Sequence, residues 1–232
     1  MAVYINYGAD PVAVLTTCIM ACPCSLYLSK LFMPETSRPA TAGCTRLVKE
    51  KSPYANGIDA VSGGTGDGLR LALNVAAMLI VFIAFTAMLN AAIGWIWPGL
   101  SLQRLFGWVF SPAAFLIGVD SADIPRVASL LGAKLAINEH FAYLQMKKML
   151  PVLDPTTHLV LQNGLMSARS FALTAFALTG FANFASVGIQ LGGIGAIAPE
   201  RRHDLARLGL RALFVGFVVT LLNAAISGII LD

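Results

Sequence analysis

The chain has 232 residues, 57% of them hydrophobic and 12% charged, and its mean hydropathy is +0.74. So little charge in so apolar a chain excludes an ordinary soluble domain and points to a polytopic membrane protein with the lipid bilayer as its principal partner. The formal net charge of +4 is spread over loops and helix ends with no interleaved aromatic residues, which leaves nucleic-acid binding without support.

The first apolar run, Pro11 to Met33, is long enough to cross a ~30 Å hydrocarbon core at ~1.5 Å per residue, and Pro23 in its middle is expected to kink it. Asp10, rather than a basic cluster, precedes it, and no small-residue cleavage site follows, so a retained span is expected and not a signal peptide. Residues 1–36 thus end a preceding element and supply the first span, closed by Pro34-Glu35-Thr36. Residues 37–66 turn polar, with Arg46, Lys49, Glu50, Lys51 and Gly63-Gly64; they read as an extramembrane connection with a basic excess that favours the cytoplasmic side. Residues 67–98 are the cleanest span. Between Leu69 and Trp97 only Asn74, Thr86 and Asn90 interrupt the apolar run, and Trp95, Trp97 and Pro98 close it where an interfacial belt is expected.

Residues 99–232 have a different pattern. From Leu102 to Leu150 the apolar pieces are too short to span and are broken by Pro112, by Asp120-Ser121-Ala122-Asp123 and by Asn138-Glu139. This predicts a surface-lying helix over Leu105–Val119 and a helical hairpin over Ile124–Lys148 with its tip at Ile137-Asn138-Glu139. Asp120 and Asp123 would stand at the positive end of its first helix. Ala168 to Ile197 is too long and too glycine-rich for one regular helix, and a break is expected over Phe181–Ser186. Glu200–Arg207 leads into a last span, Leu208–Leu231. The expected fold is all-α, with four membrane-crossing segments, one of them discontinuous, and one re-entrant hairpin, set in the plasma membrane or, in a Gram-negative cell, the inner membrane.

Within this frame Glu139 is the first candidate for function. A carboxylate at bilayer depth costs ~2.5–3.5 kcal/mol and persists where a polar partner or aqueous cavity offsets that cost. The structural alternative is a pairing with Lys134 or another basic residue, or a tip that simply reaches water. Asn183 and Ser186 are three apart and would share a face of a loosely helical backbone, where an amide can serve vicinal hydroxyls. Phe181 offers apolar or stacking contact, or plain core packing. Cys22-Pro23-Cys24, with Cys18, resembles the soft-metal ligands of heavy-metal pumps, but no nucleotide domain or phosphorylated-aspartate motif accompanies it, so small buried thiols are expected. His140, His158 and His203 are dispersed. There is no nucleophile-base pair, phosphate loop or metal spacing, and an enzyme is not expected.

The motifs Gly132-Ala133-Lys134-Leu135-Ala136-Ile137-Asn138-Glu139-His140-Phe141-Ala142-Tyr143 and Gly180-Phe181-Ala182-Asn183-Phe184 resemble the concentrative nucleoside transporter family. The likeness extends through Ile189 to Arg202 and back to Asp67-Gly68-Leu69, Leu73 to Met78 and Pro34-Glu35-Thr36. His140 stands where the family motif generally has phenylalanine. The resemblance implies an ion-coupled nucleoside symporter, with Glu139 binding ribose, Asn138, Asn183 and Ser186 completing the sugar side and Phe181 nearby. It also implies a coupling cation, sodium or proton, whose site is not in this chain, and no other cofactor. Val3 to Gly8 resembles the end of a first repeat's broken helix. The base-reading hairpin and the sodium site would then belong to a first-half polypeptide, with a homo-oligomer a further partner. Two readings stay open: a symporter whose first half is supplied separately, and a truncated, transport-inactive remnant.

Overall fold

The computed structural model describes residues 2–38, 42–43, 53–153, 160–162 and 164–231. Cys44, Arg46, Lys49, Glu50, Lys51 and His158 lie outside the described residues, and with them the basic excess of the polar connection.

A short helix, α1 (Ala2–Asn6), ends in a turn at Gly8, whose φ of 93° is left-handed. Asp10 then caps α2 (Pro11–Phe32) by accepting from the amides of Val12 and Ala13, with Pro11 pre-set for the first turn. Pro23 lies inside α2 without ending it. Cys18 and Cys22 are exposed on this helix and Cys24 is half-buried, so the expectation of buried thiols fails for the first two. They lie on a helix that keeps only Ala13, Val14 and Thr17 buried.

Helix α3 (Gly57–Ile96) runs unbroken for 40 residues, starting ten residues earlier than the composition suggested. Asn56 accepts from the Asp59 amide and Asp59 occupies the first turn, both favourable at a helix start. The glycines that follow weaken a helix by ~1 kcal/mol each but do not break it as proline would. At its far end Asn90 turns the chain. Its side chain accepts from the Leu102 amide and donates to Gln103, where α4 (Leu102–Leu116) begins, capped by Ser101.

The hairpin consists of α5 (Ile124–Ala136) and α6 (Glu139–Lys147), joined by Ile137-Asn138. Asp123 makes no side-chain cap to α5; it accepts from the Ser167 amide at 2.9 Å and pairs with Arg126 at 3.2 Å, while Asp120 accepts from the Ser167 hydroxyl. The two acids therefore hold the start of the next helix, α7 (Ala168–Leu178), against the base of the hairpin. Between hairpin and α7 is an antiparallel ribbon, β1 (Val152–Leu153) with β2 (Val160–Gln162), the one departure from helix among the described elements.

Helix α7 ends at Leu178 and α8 (Phe184–Ile197) restarts after a five-residue break. A 3-10 turn, Pro199–Arg201, leads into α9 (Arg202–Ile230). The core lies where α5, α6, α7 and α9 meet. Val127, Leu131, Tyr143, Met146, Leu173 and Leu178 are inaccessible there. Helix α4 packs along α5, α2 along α9, and α3 along α8. Three helical stretches, Pro11–Phe32, Gly57–Ile96 and Pro199–Ile230, are long and apolar enough to cross a bilayer, and apart from the short ribbon the described chain is a helical integral membrane protein.

Candidate functional site

The site forms where two helix starts meet. Asn138 caps α6 by accepting from the Phe141 amide at 2.8 Å, and Asn183 caps α8 by accepting from the Ser186 amide at 2.8 Å. Ser186 returns the favour, its hydroxyl lying 3.3 Å from the Asn183 amide and donating to the Asn183 carbonyl at 2.6 Å, a closed capping box. Each cap satisfies amides that a helix start leaves unpaired. These residue types are therefore needed for the fold at those positions whatever else they bind.

Glu139 follows its cap as the first residue of α6 and is 8% exposed. One carboxylate oxygen accepts from the Asn183 side-chain amide at 2.8 Å and the other from the Tyr4 hydroxyl at 3.1 Å. Tyr4 stacks on Tyr143, ring centroids 4.6 Å apart, and Tyr143 donates to the Ala175 carbonyl at 2.7 Å and meets Thr179 at 2.6 Å. Helix α1, the hairpin and the break are thus tied through one carboxylate and one aromatic pair. Beside them His140 lies 3.3 Å from the Tyr7 hydroxyl.

The sequence-chosen residues divide accordingly. Glu139 and Asn183 touch, and Ser186 joins them through the cap. Asn138 is spent on its own helix. Phe181 is exposed and lines, with Ser186, Val187 and Gln190, a cavity of about 350 Å³ between α8 and α9. Neither Glu139 nor Asn183 lines that cavity. Both are instead buried against each other where the hairpin tip meets the start of α8, with Ser186 linking the Asn183 cap to the cavity wall.

Lys134 was legible only as a possible partner of Glu139, and among the described residues the two make no ion pair. Lys134 is instead inaccessible, its ammonium donating to the Ala177 carbonyl at 2.8 Å and to the Thr220 hydroxyl at 2.9 Å. Tyr4 and Thr220 also escaped sequence reasoning. Their only signal is a polar group on an apolar helix.

A family profile described as "Na+ dependent nucleoside transporter C-terminus" matches residues 13–228. The chain is 38% identical over 237 residues to sodium/nucleoside cotransporter 1 of Rattus norvegicus, covering 99% of this chain and 37% of that protein. It is 40% identical over 219 residues to the uncharacterized transporter YutK of Bacillus subtilis, covering 92% of this chain and 51% of that one. Among solved structures, an outward-facing double variant of the transporter CNTnw superposes with a TM-score of 0.80 at 35% identity, over 100% of this chain and 54% of that one. CNTnw in an inward-facing, substrate-bound state gives 0.74 at 36% identity, over 97% and 52%. The chain therefore spans about a third to a half of the length of these relatives.

Proposed function

The chain belongs to the family of sodium-dependent nucleoside transporter C-terminal regions, and from that premise we propose that it is the ribose-side half of an ion-coupled nucleoside symporter of the plasma membrane. In this reading α2, α3, the α7–α8 pair and α9 are four crossing segments, and α5–α6 is a re-entrant hairpin whose tip meets the break at bilayer depth. Non-helical backbone at that depth is tolerated where protein covers it or an aqueous cavity faces it.

The observation that carries the proposal is the Glu139–Asn183 contact at 2.8 Å. A carboxylate accepts several hydrogen bonds, and each oxygen of Glu139 keeps lone-pair capacity beyond its single partner. Asn183 uses one side-chain N–H on Glu139 and keeps a second. The 2′ and 3′ hydroxyls of a ribose can donate to the carboxylate while one of them accepts from that free N–H. Asn138 fixes the position of Glu139, and Ser186 fixes that of Asn183. Phe181 and the cavity it lines, whose volume lies within the range of small-molecule sites, suit the apolar body of a nucleoside.

The test is uptake by this chain together with the first half of a close relative in proteoliposomes. Replacing Glu139 with Gln removes a charge-assisted acceptor contributing ~1.5–3 kcal/mol, so apparent affinity for uridine or adenosine is expected to fall roughly 10- to 100-fold. A 2′,3′-dideoxynucleoside should be handled alike by parent and variant. Unchanged affinity for the ribonucleoside in Glu139→Gln would reject the assignment.

A further inference from the structure

Helix α7 stops at Leu178 with its last carbonyls no longer held within a helix, and the macrodipole leaves that end partially negative. In transporters built on interrupted helices, such C-terminal ends coordinate the coupling cation. Here a side chain is already in place. Lys134, from the hairpin's first helix, reaches the Ala177 carbonyl at 2.8 Å, and its second partner, Thr220 of α9, itself donates to the Phe217 carbonyl. The Phe217 ring covers the ammonium, with its centroid 5.3 Å from Nζ, a contact that favours a cation.

Three elements are shaped around this one charge. Gly180, at φ 128°, brings the break so close to α9 that an added Cβ would stand 2.5 Å from the Thr220 methyl. On the other side of the break, the negative Glu139 adjoins the start of α8 through Asn183. A cation at the end of one half-helix and an anion at the start of the next is the order that the two dipoles favour.

We propose that Lys134 is a tethered cation. Its ammonium takes, at the end of α7, the place that a free coupling ion takes at other interrupted helices, so this break is held by a side-chain cation and binds no ion of its own. Lys134 is a positioning residue in this scheme: it fixes α5 to the break and to α9 without touching substrate. The inference concerns the break itself and stands whether or not the chain binds ribose.

The experiment is thermal unfolding of the purified 232-residue chain in detergent, at matched ionic strength, in sodium, propylammonium or choline. Propylammonium is the fragment that Lys134→Ala removes, and choline is too bulky for the space. The parent is expected to unfold at the same temperature in all three. Lys134→Ala should unfold on the order of 10 °C lower in choline, as expected for a buried charged contact that is broken, and recover at least half of that in propylammonium. Lys134→Met, which fills the space without charge, should be destabilised and insensitive to propylammonium. The proposal is overturned if Lys134→Met is as stable as the parent, or if choline restores Lys134→Ala as well as propylammonium does. It is equally overturned if Lys134→Ala gains nothing from propylammonium, including by failing to fold in its presence.

Discussion

In the most apolar window of α3, 6% of residues are buried within the chain, while the hairpin and break enclose Lys134, Asn183, Ser170 and Thr174 completely and Glu139 almost so. Burial and hydropathy therefore run in opposite senses in these two regions. Lipid tails are as apolar as leucine, so an apolar helix in a bilayer gains little from hiding its side chains against another. Polar groups have the contrary problem, since unpaired they cost far more in hydrocarbon than in water. The chain folds around the groups that need partners and leaves on its surface the most apolar of its three membrane-length stretches.

If that contrast is right, losing a polar residue of the break should cost as much stability as losing Lys134. Asn183→Ala removes the cap of α8 and strips the buried Glu139 carboxylate of one of its two donors. A lost cap costs ~1 kcal/mol and an abandoned buried acceptor ~1–3, so about 3 kcal/mol, or roughly 6–12 °C in the melting of the chain in detergent, is expected. A melt within a degree or two of the parent would break the comparison at its strongest point.

Gly180→Ala comes next. The φ of 128° is one that a side chain rarely adopts, and the new methyl would press on Thr220, whose hydroxyl holds Lys134. Strain of this kind costs ~1–3 kcal/mol, and circular-dichroism melts should place the variant roughly 2–10 °C below the parent. Tyr143→Phe should cost less, about 1 kcal/mol. The Ala175 carbonyl keeps its bond from Thr179, and the ring still stacks on Tyr4.

Local punctuation made much of this region legible. The Asp120–Asp123 interruption before α5, the Asn-Glu pair at the tip and the Gly180–Asn183 interval are departures from an apolar run that only a turn or a break explains, and the helical hairpin and the break lie within a few residues of where they were expected. The early start of α3 was hidden by glycines that lower propensity without stopping a capped helix. The partners of the buried charges were not legible at all. Tyr4 reaches Glu139 across 135 residues of chain and Thr220 reaches Lys134 across 86, separations over which neither periodicity nor capping rules carry information. Asp123 does stand at the start of α5, as expected, but for the same reason its side-chain partner and that of Asp120, a serine 44 and 47 residues away, could not be read.

The smallest effect is the sharpest test, because it separates two residues on the same helix. Thr86 is the one residue of α3 that is buried, and its hydroxyl donates to the Ala136 carbonyl at the end of α5, just before the hairpin tip. Thr86→Val keeps the shape and removes that bond, so a loss of about 1 kcal/mol, or roughly 2–4 °C, is expected. Ile80, a turn and a half away, is 68% exposed. Ile80→Ala removes more apolar surface than Thr86→Val, but that surface exchanges detergent tails for detergent tails, and the melt should stay within about 1 °C of the parent. If Ile80→Ala proves the more damaging of the pair, apolar packing of α3 rather than its single polar tether holds it to the hairpin, and the contrast between the two regions fails.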